Sequence, residues 1–444
     1  MKGKWPVMIS IVLAVLVSSL DSTITNTTIP HIVEDLGGFS LYAWTFVSYM
    51  IASTALTPIA GRLSDLYGRK KVFAAGILIF LLGSLLCGTS QSMVQLVLFR
   101  AIQGCGAGIL IPFPAIIAGD LFPVSKRGAI QAFFSGMWGL SAVLAPLLGA
   151  FFVEVASWRW IFYVNIPLCL LSVALLMPYR EVYVPKKAPI DYAGGLLFAG
   201  GVVLFLLLTV VTEDYWIYAS GGVLLLAAFG FVERRHVSPI IPFTIFRNRG
   251  IAWMIANSVL ATAALFGTAN YVPLFLQEQG YSIFMSGLAL LGEATAWLLV
   301  AVPSGRWVIK FGYRPLLIAG NGILVLCGLG FFLFLDERSG FWELFGLMFL
   351  EGMAFGLLVT VTTIGAQQLV GPQQKGISTS LQFFARNIGT AVGTTIMGAL
   401  LTKAPSFMNG IHHVFMYGFI MSLVALASSF WIRPSRNVSI EGES

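Results

Sequence analysis

Fourteen apolar runs follow one another along this chain, near residues 7–30, 40–60, 72–89, 93–117, 128–153, 160–178, 192–211, 216–232, 250–275, 284–304, 315–334, 342–368, 376–400 and 411–432. A bilayer-spanning helix needs about 20 predominantly apolar residues. In lipid the backbone must satisfy its own hydrogen bonds, so a run of this length is expected to be helical. Of 444 residues, 57% are hydrophobic and only 10% charged, where soluble domains carry about 25%. The expected fold class is therefore an all-α, multi-pass membrane protein, not a globular enzyme with an anchor. Asp21 and a threonine-rich stretch follow the first run, where a cleavable leader would have small residues, so no cleaved leader is expected.

Basic residues mark the orientation, because Lys and Arg are retained on the cytoplasmic side. With the N-terminus inside, 21 of the 26 Lys and Arg residues fall in inner segments. Only Arg159, Arg338 and Lys403 fall outside, and Arg100 and Arg386 lie within spans. Both termini are thus expected in the cytoplasm. This alternation also accounts for the net charge of +7 without a nucleic-acid partner. The cysteines (Cys87, Cys105, Cys169 and Cys327) all lie in apolar runs, and neither they nor the four histidines have metal-ligand spacing.

The densest charge cluster, Gly61-Arg62-Leu63-Ser64-Asp65-Leu66-Tyr67-Gly68-Arg69-Lys70-Lys71, is read as a tight basic turn between two spans. A degenerate copy, Gly305 to Arg314, lies 244 residues downstream, with Ile309 in place of Asp65. Gln103 to Gly108 likewise aligns with Glu351 to Gly356, and Lys126-Arg127-Gly128 with Gln374-Lys375-Gly376. Spans 1–6 therefore repeat as spans 9–14, and spans 7–8 are an inserted hairpin. The expected division is 1–178 for an N-terminal six-helix bundle, 179–249 for the hairpin and its linker, and 250–444 for a C-terminal six-helix bundle. Parallel halves of this kind build alternating-access transporters, whose substrate site lies between them near midplane.

Five stretches carry a resemblance: Leu20 to Asn26, Gly61 to Lys71, Arg100 to Gly108, Ala145-Pro146-Leu147-Leu148-Gly149, and Trp158 to Pro167. With them the chain resembles the major facilitator superfamily and, within it, the fourteen-span drug:proton antiporters. The resemblance implies a major facilitator fold and export of lipophilic, cationic drugs from a bacterial cell across its plasma membrane. It implies protons as coupling ions, and that Arg100 influences proton release from the carboxylates. It also implies that the Gly61–Lys71 stretch (Gly61, Arg62, Asp65, Gly68 and Arg69) is a conformational latch, and it associates Pro146 and Gly149 with helix packing in antiporters. Two departures are the alanines Ala145 and Ala150, where the usual span-5 motif has glycine, and the short Lys403–Gly410 segment, where many relatives have a long outer loop.

An acid in hydrocarbon costs about 2.5–3.5 kcal/mol on insertion scales, so the embedded acids are candidates for function. Asp21 shares a helical face with Ser18, Thr25 and Thr28 and reads either as a cavity carboxylate or as a structural hydrogen-bonding acid. Glu293, with Trp297 one turn on, reads as the proton carrier or as a packing acid. Glu351 stands where the first half has Gln103, as a second protonation site or the partner of Arg386. Arg386 lies on the stripe Ser378, Gln382, Arg386, Thr390 and Thr394. Gln103, Trp297, Gln382 and Tyr49 are candidate cavity residues. Asp65 can accept hydrogen bonds from a helix N-terminus and pair with Arg69.

The alternative within transport is an exporter or flippase for an endogenous metabolite or lipid. A membrane enzyme would need a nucleophile–base set or a metal cluster, and a sensor would need a cytoplasmic domain. The sequence displays none of these and no ATP-binding loop, so no cofactor is expected and an ion gradient is the expected energy source. The expected partners are small lipophilic molecules, protons and the bilayer, with the chain a monomer.

Overall fold

The structure, a computed structural model, describes residues 4–180, 188–211, 213–265, 267–336 and 339–432. The described residues form helices: α1 (Lys4–Leu36), α2 (Tyr42–Tyr67), α3 (Arg69–Gly88), α4 (Met93–Leu110), α5 (Phe113–Leu121), α6 (Val124–Val155), α7 (Trp160–Tyr163), α8 (Asn165–Leu176), α9 (Tyr192–Leu207), α10 (Tyr215–Glu233), α11 (Arg249–Leu265), α12 (Thr268–Glu278), α13 (Ile283–Leu288), α14 (Leu290–Phe311), α15 (Tyr313–Phe334), α16 (Phe341–Gln368), α17 (Lys375–Thr402) and α18 (Phe407–Ser429). Among the described residues, eight helical stretches are long and apolar enough to cross a bilayer, from Trp5–Thr25 to Phe407–Ser429. Serine caps start several helices: Ser92, Ser282 and Ser406 each accept the backbone N–H three residues on.

Two compact units emerge. Unit one comprises residues 1–121, 134–243 and 371–381, and unit two comprises 122–133, 244–370 and 382–444. Two of the boundaries therefore fall inside helices, one in α6 and one in α17. The core of unit one gathers Ile24, Ile29, Cys87, Leu96 and Phe162. That of unit two gathers Phe331, Phe355, Phe415, Leu344 and Met348, with Phe331 and Phe415 stacked at 4.6 Å.

The Gly61–Lys71 stretch corrects the expected turn. Helix α2 continues through Gly61 to Tyr67, and the chain breaks at one residue, Gly68, whose φ of 100° suits glycine. The second copy is built alike: α14 runs through Gly305 to Phe311 and breaks at Gly312, with φ 76°. In both copies the first glycine admits a neighbouring helix. A Cβ on Gly61 would lie 2.6 Å from the Gly376 carbonyl oxygen, and one on Gly305 would lie 2.7 Å from that of Val124 and 3.0 Å from the Gly128 nitrogen. The aligned glycines Gly376 and Gly128 thus occupy corresponding places in the two units.

Candidate transport site

Unit one holds a buried polar cluster around Asp21. The Arg100 guanidinium lies 2.5 Å from Asp21 Oδ2, and both side chains are fully buried. Asp21 Oδ1 accepts from Gln103 Nε2 at 2.7 Å and from Asn165 Nδ2 at 3.0 Å. Arg100 also donates to Gln103 Oε1 at 2.6 Å and to the Thr45 carbonyl at 3.3 Å. Its guanidinium sits 4.3 Å from the centre of the Tyr49 ring. Ser84 Oγ accepts from both Gln103 and Asn165. Glycines make the cluster possible: a Cβ on Gly83 would lie 2.5 Å from the Gln103 Cα, and one on Gly104 would lie 2.4 Å from the Tyr49 carbonyl oxygen. Four of the expected residues (Asp21, Tyr49, Arg100 and Gln103) are therefore one ion-paired network. A buried pair of this kind is costly to break, by about 3–5 kcal/mol when one partner is removed.

Unit two holds Glu293 and Glu351. Glu293 lies in the first turn of α14, because the span is interrupted at Ala289 between α13 and α14. Its backbone packs on α16: a Cβ on Gly352 would lie 2.1 Å from the Glu293 carbonyl oxygen. Gly352 follows Glu351 directly, so the two acids flank one helix contact. One turn further, Gly356 lies against the Trp297 carbonyl in the same way. The Trp297 ring stacks on Phe355 at 6.3 Å, and its buried Nε1 has no partner among the described residues.

Arg386 is not with Glu351. Its Nη2 donates to Thr363 Oγ1 at 2.7 Å, its Nε to the Gln382 carbonyl at 3.3 Å, and its guanidinium lies 4.4 Å from the Phe383 ring. Thr363 is about 18 Å along α16 from Glu351, at 1.5 Å per residue. Among the described residues Arg386 has no carboxylate partner. Gln382 Oε1 accepts from Ser258 at 2.8 Å. Beside this stripe, Gly389 and Gly393 bring α17 onto the backbone of Val259 and Ala263 in α11.

Asp65 closes a third set. It accepts the backbone N–H groups of Gly376 and Ile377, at 2.9 and 2.8 Å, at the start of α17, where a helix leaves N–H groups unpaired. Arg69 lies 2.5 Å from Asp65 and 3.1 Å from Asp120, and Lys375 lies 3.7 Å from Asp120. Arg62 donates to the Pro239 carbonyl at 2.8 Å and to Ser238 Oγ at 3.3 Å. Gly149 is a buried residue of α6, and Pro146 lies on the same helix, its side chain outside the described residues.

Sequence reasoning gave no role to Asn165, Ser84, Asp120 or Thr363. Asn165 carried a signal, a carboxamide inside the Trp158–Pro167 motif, whereas Ser84 and Thr363 carried none.

All-helical units with buried acids and arginines inside apolar helices mark a multi-pass membrane protein with functional sites within its helices. The chain belongs to the Major Facilitator Superfamily, whose pattern it matches over residues 11–297 and 294–443. It is 34% identical over 424 residues to Multidrug resistance protein 3 of Bacillus subtilis, covering 92% of this chain and 81% of that protein. It is 29% identical over 418 residues to the Multidrug efflux pump SdrM of Staphylococcus aureus, covering 92% of each. Among solved structures, the proton:xylose symporter XylE shares the fold, with a TM-score of 0.69 at 15% identity over 97% of this chain and 96% of that one.

Proposed function

We propose that the protein is a proton-coupled antiporter that exports lipophilic, cationic compounds by alternating access. In this reading it spans the plasma membrane of a bacterium fourteen times, with both termini in the cytoplasm. The relatives named for multidrug transport and efflux support the export of small molecules. The observation that carries the coupling is the packing of Glu293 on Gly352, beside Glu351. An ionised carboxyl on an apolar helix is costly, so acids on these two facing helices favour binding of a proton or of a cation. A cationic drug displaces the proton on one side, and a proton displaces the drug on the other. Asp65, holding the start of α17, is the latch residue in this reading, and the Asp21–Arg100 network is the rigid support of unit one.

A second reading, export of an anionic or amphoteric metabolite or lipid, is favoured by Arg386, a guanidinium without a carboxylate partner among the described residues. One experiment separates the two. The purified protein in liposomes is given an imposed proton gradient and a panel of cationic, neutral and anionic compounds. Gradient-driven uptake of the cations supports antiport of cationic drugs. Uptake confined to anions moves the assignment to the second reading, and no dependence on the gradient contradicts proton coupling.

A further inference from the structure

The inserted hairpin ends in two acids that face each other. Asp191 caps α9, its Oδ1 accepting the Gly194 N–H at 2.7 Å. Glu233 ends α10, and its Oε1 accepts the amide of Ile241. These bonds use one oxygen of each carboxyl. The remaining oxygens, Asp191 Oδ2 and Glu233 Oε2, are buried without a hydrogen-bond donor, on residues only 3% and 2% exposed. They converge on one spot: a Cβ on Gly194 would lie 2.3 Å from Asp191 Oδ2 and 2.8 Å from Glu233 Oε2. Both oxygens thus lie within 2.8 Å of a single point. Two bare acceptors so placed are each unsatisfied and mutually repulsive. One proton between them turns the clash into an acid–carboxylate hydrogen bond.

We propose that Asp191 and Glu233 form a proton-binding site that holds one shared proton and thereby fixes the 236–241 turn against Arg62. The turn links the site to that arginine. The Ser238 N–H donates to His236 Nδ1 at 3.1 Å, and Arg62 holds Pro239 and Ser238. Among the described residues, the charged and titratable groups around the pair are Arg62, from α2, His236, whose Nδ1 lies 4.0 Å from Asp191 Oδ2, and Tyr67, whose hydroxyl donates to the Ala188 carbonyl at 2.7 Å. Arg234 and Arg235 follow Glu233 in sequence, and Arg235 is stacked on Phe231. The sign follows from the geometry. With the proton bound, the pair is cohesive and the turn is held. Loss of the proton leaves two anions, which repel and loosen the turn. The inference rests on the transport reading only in giving Arg62 a latch to act on, and its test measures proton binding without any transport.

The test uses purified full-length protein and infrared difference spectra of the protonated-carboxyl C=O stretch, between alkaline buffer and mildly acid buffer above the usual carboxylate range. Asp191→Asn, Glu233→Gln and the double variant are compared with the parent. Each single variant is expected to remove the same one-carboxyl band, and the double variant no more than either. A double variant that removes twice as much, or singles that remove nothing, overturns the shared proton. Hydrogen exchange of residues 236–241, corrected for intrinsic rate, is the second readout. The parent is expected to lose protection as pH rises, while Glu233→Gln, whose amide supplies a permanent donor to Asp191, keeps it throughout. Parallel pH dependence in the two proteins overturns the link to the turn.

Discussion

Gly352 lies so close to Glu293 that any side chain there would meet the Glu293 backbone, at 2.1 Å from its carbonyl oxygen and 2.7 Å from its Cα. The position of a membrane-embedded acid is therefore set by a glycine on the neighbouring helix. Small residues permit such approaches in membranes, where packing replaces the hydrophobic effect as the force between helices.

Gly352→Ala is expected to push α14 from α16 and to lower stability by about 1–3 kcal/mol, the usual range for overpacking. Gly346→Ala, on the same helix but with nothing within 4 Å of its added Cβ, is the control. Thermal unfolding in detergent measures both. Equal melting temperatures for the two variants would contradict the close crossing.

Asp65→Asn keeps the size of the side chain but loses the charge that faces Arg69 and the start of α17. Transport is expected to fall several-fold, with substrate binding nearly intact, since the change acts on a conformational balance and not on a binding site. Binding by fluorescence and transport in vesicles are compared. Loss of both in equal measure would count against a latch.

Asp35, near the end of α1, accepts Trp158 Nε1 at 2.9 Å and an Arg159 guanidinium N–H at 3.1 Å. These bonds hold its carboxyl below the usual carboxylate range. A depressed folded-state value adds stability above the unfolded value, and that stability disappears as pH falls through the folded value. The melting temperature of Asp35→Asn is therefore expected to lie below that of the parent at neutral pH, with the gap closing on acidification below that range. A gap that is constant with pH would contradict the assignment.

The helical class is legible in the apolar runs because a span must satisfy its own backbone. The repeat is legible because its glycines recur, and the structure gives those glycines matching tasks at Gly61 and Gly305. Pairings across the chain are not legible. Asp21 meets Arg100 from 79 residues away, and nothing local announces it. Arg386 and Glu351 lie on neighbouring helices in the repeat pattern, but helix order says nothing of height, and Arg386 meets Thr363 instead. The Gly61–Lys71 charges read as a turn because charge implies exposure, yet Asp65 and Arg69 are buried against each other and the helix runs on to Tyr67. Asp191 and Glu233 sit at the ends of apolar runs, where an acid reads as solvated, and so their convergence escapes a linear reading.

Proton exchange at Glu293 is the central claim, and a paired flux measurement tests it most directly. Protein in liposomes with an imposed pH step is followed for lumenal pH and for movement of one cationic and one neutral compound, with the parent and Glu293→Gln side by side. The parent is expected to move protons against the cation. Glu293→Gln is expected to lose proton-driven cation transport by tenfold or more, on the order of 1.4 kcal/mol in the driving step, while retaining part of its neutral transport. If Glu293→Gln carries the cation at the parental rate and still changes the lumenal pH, Glu293 is not the proton carrier.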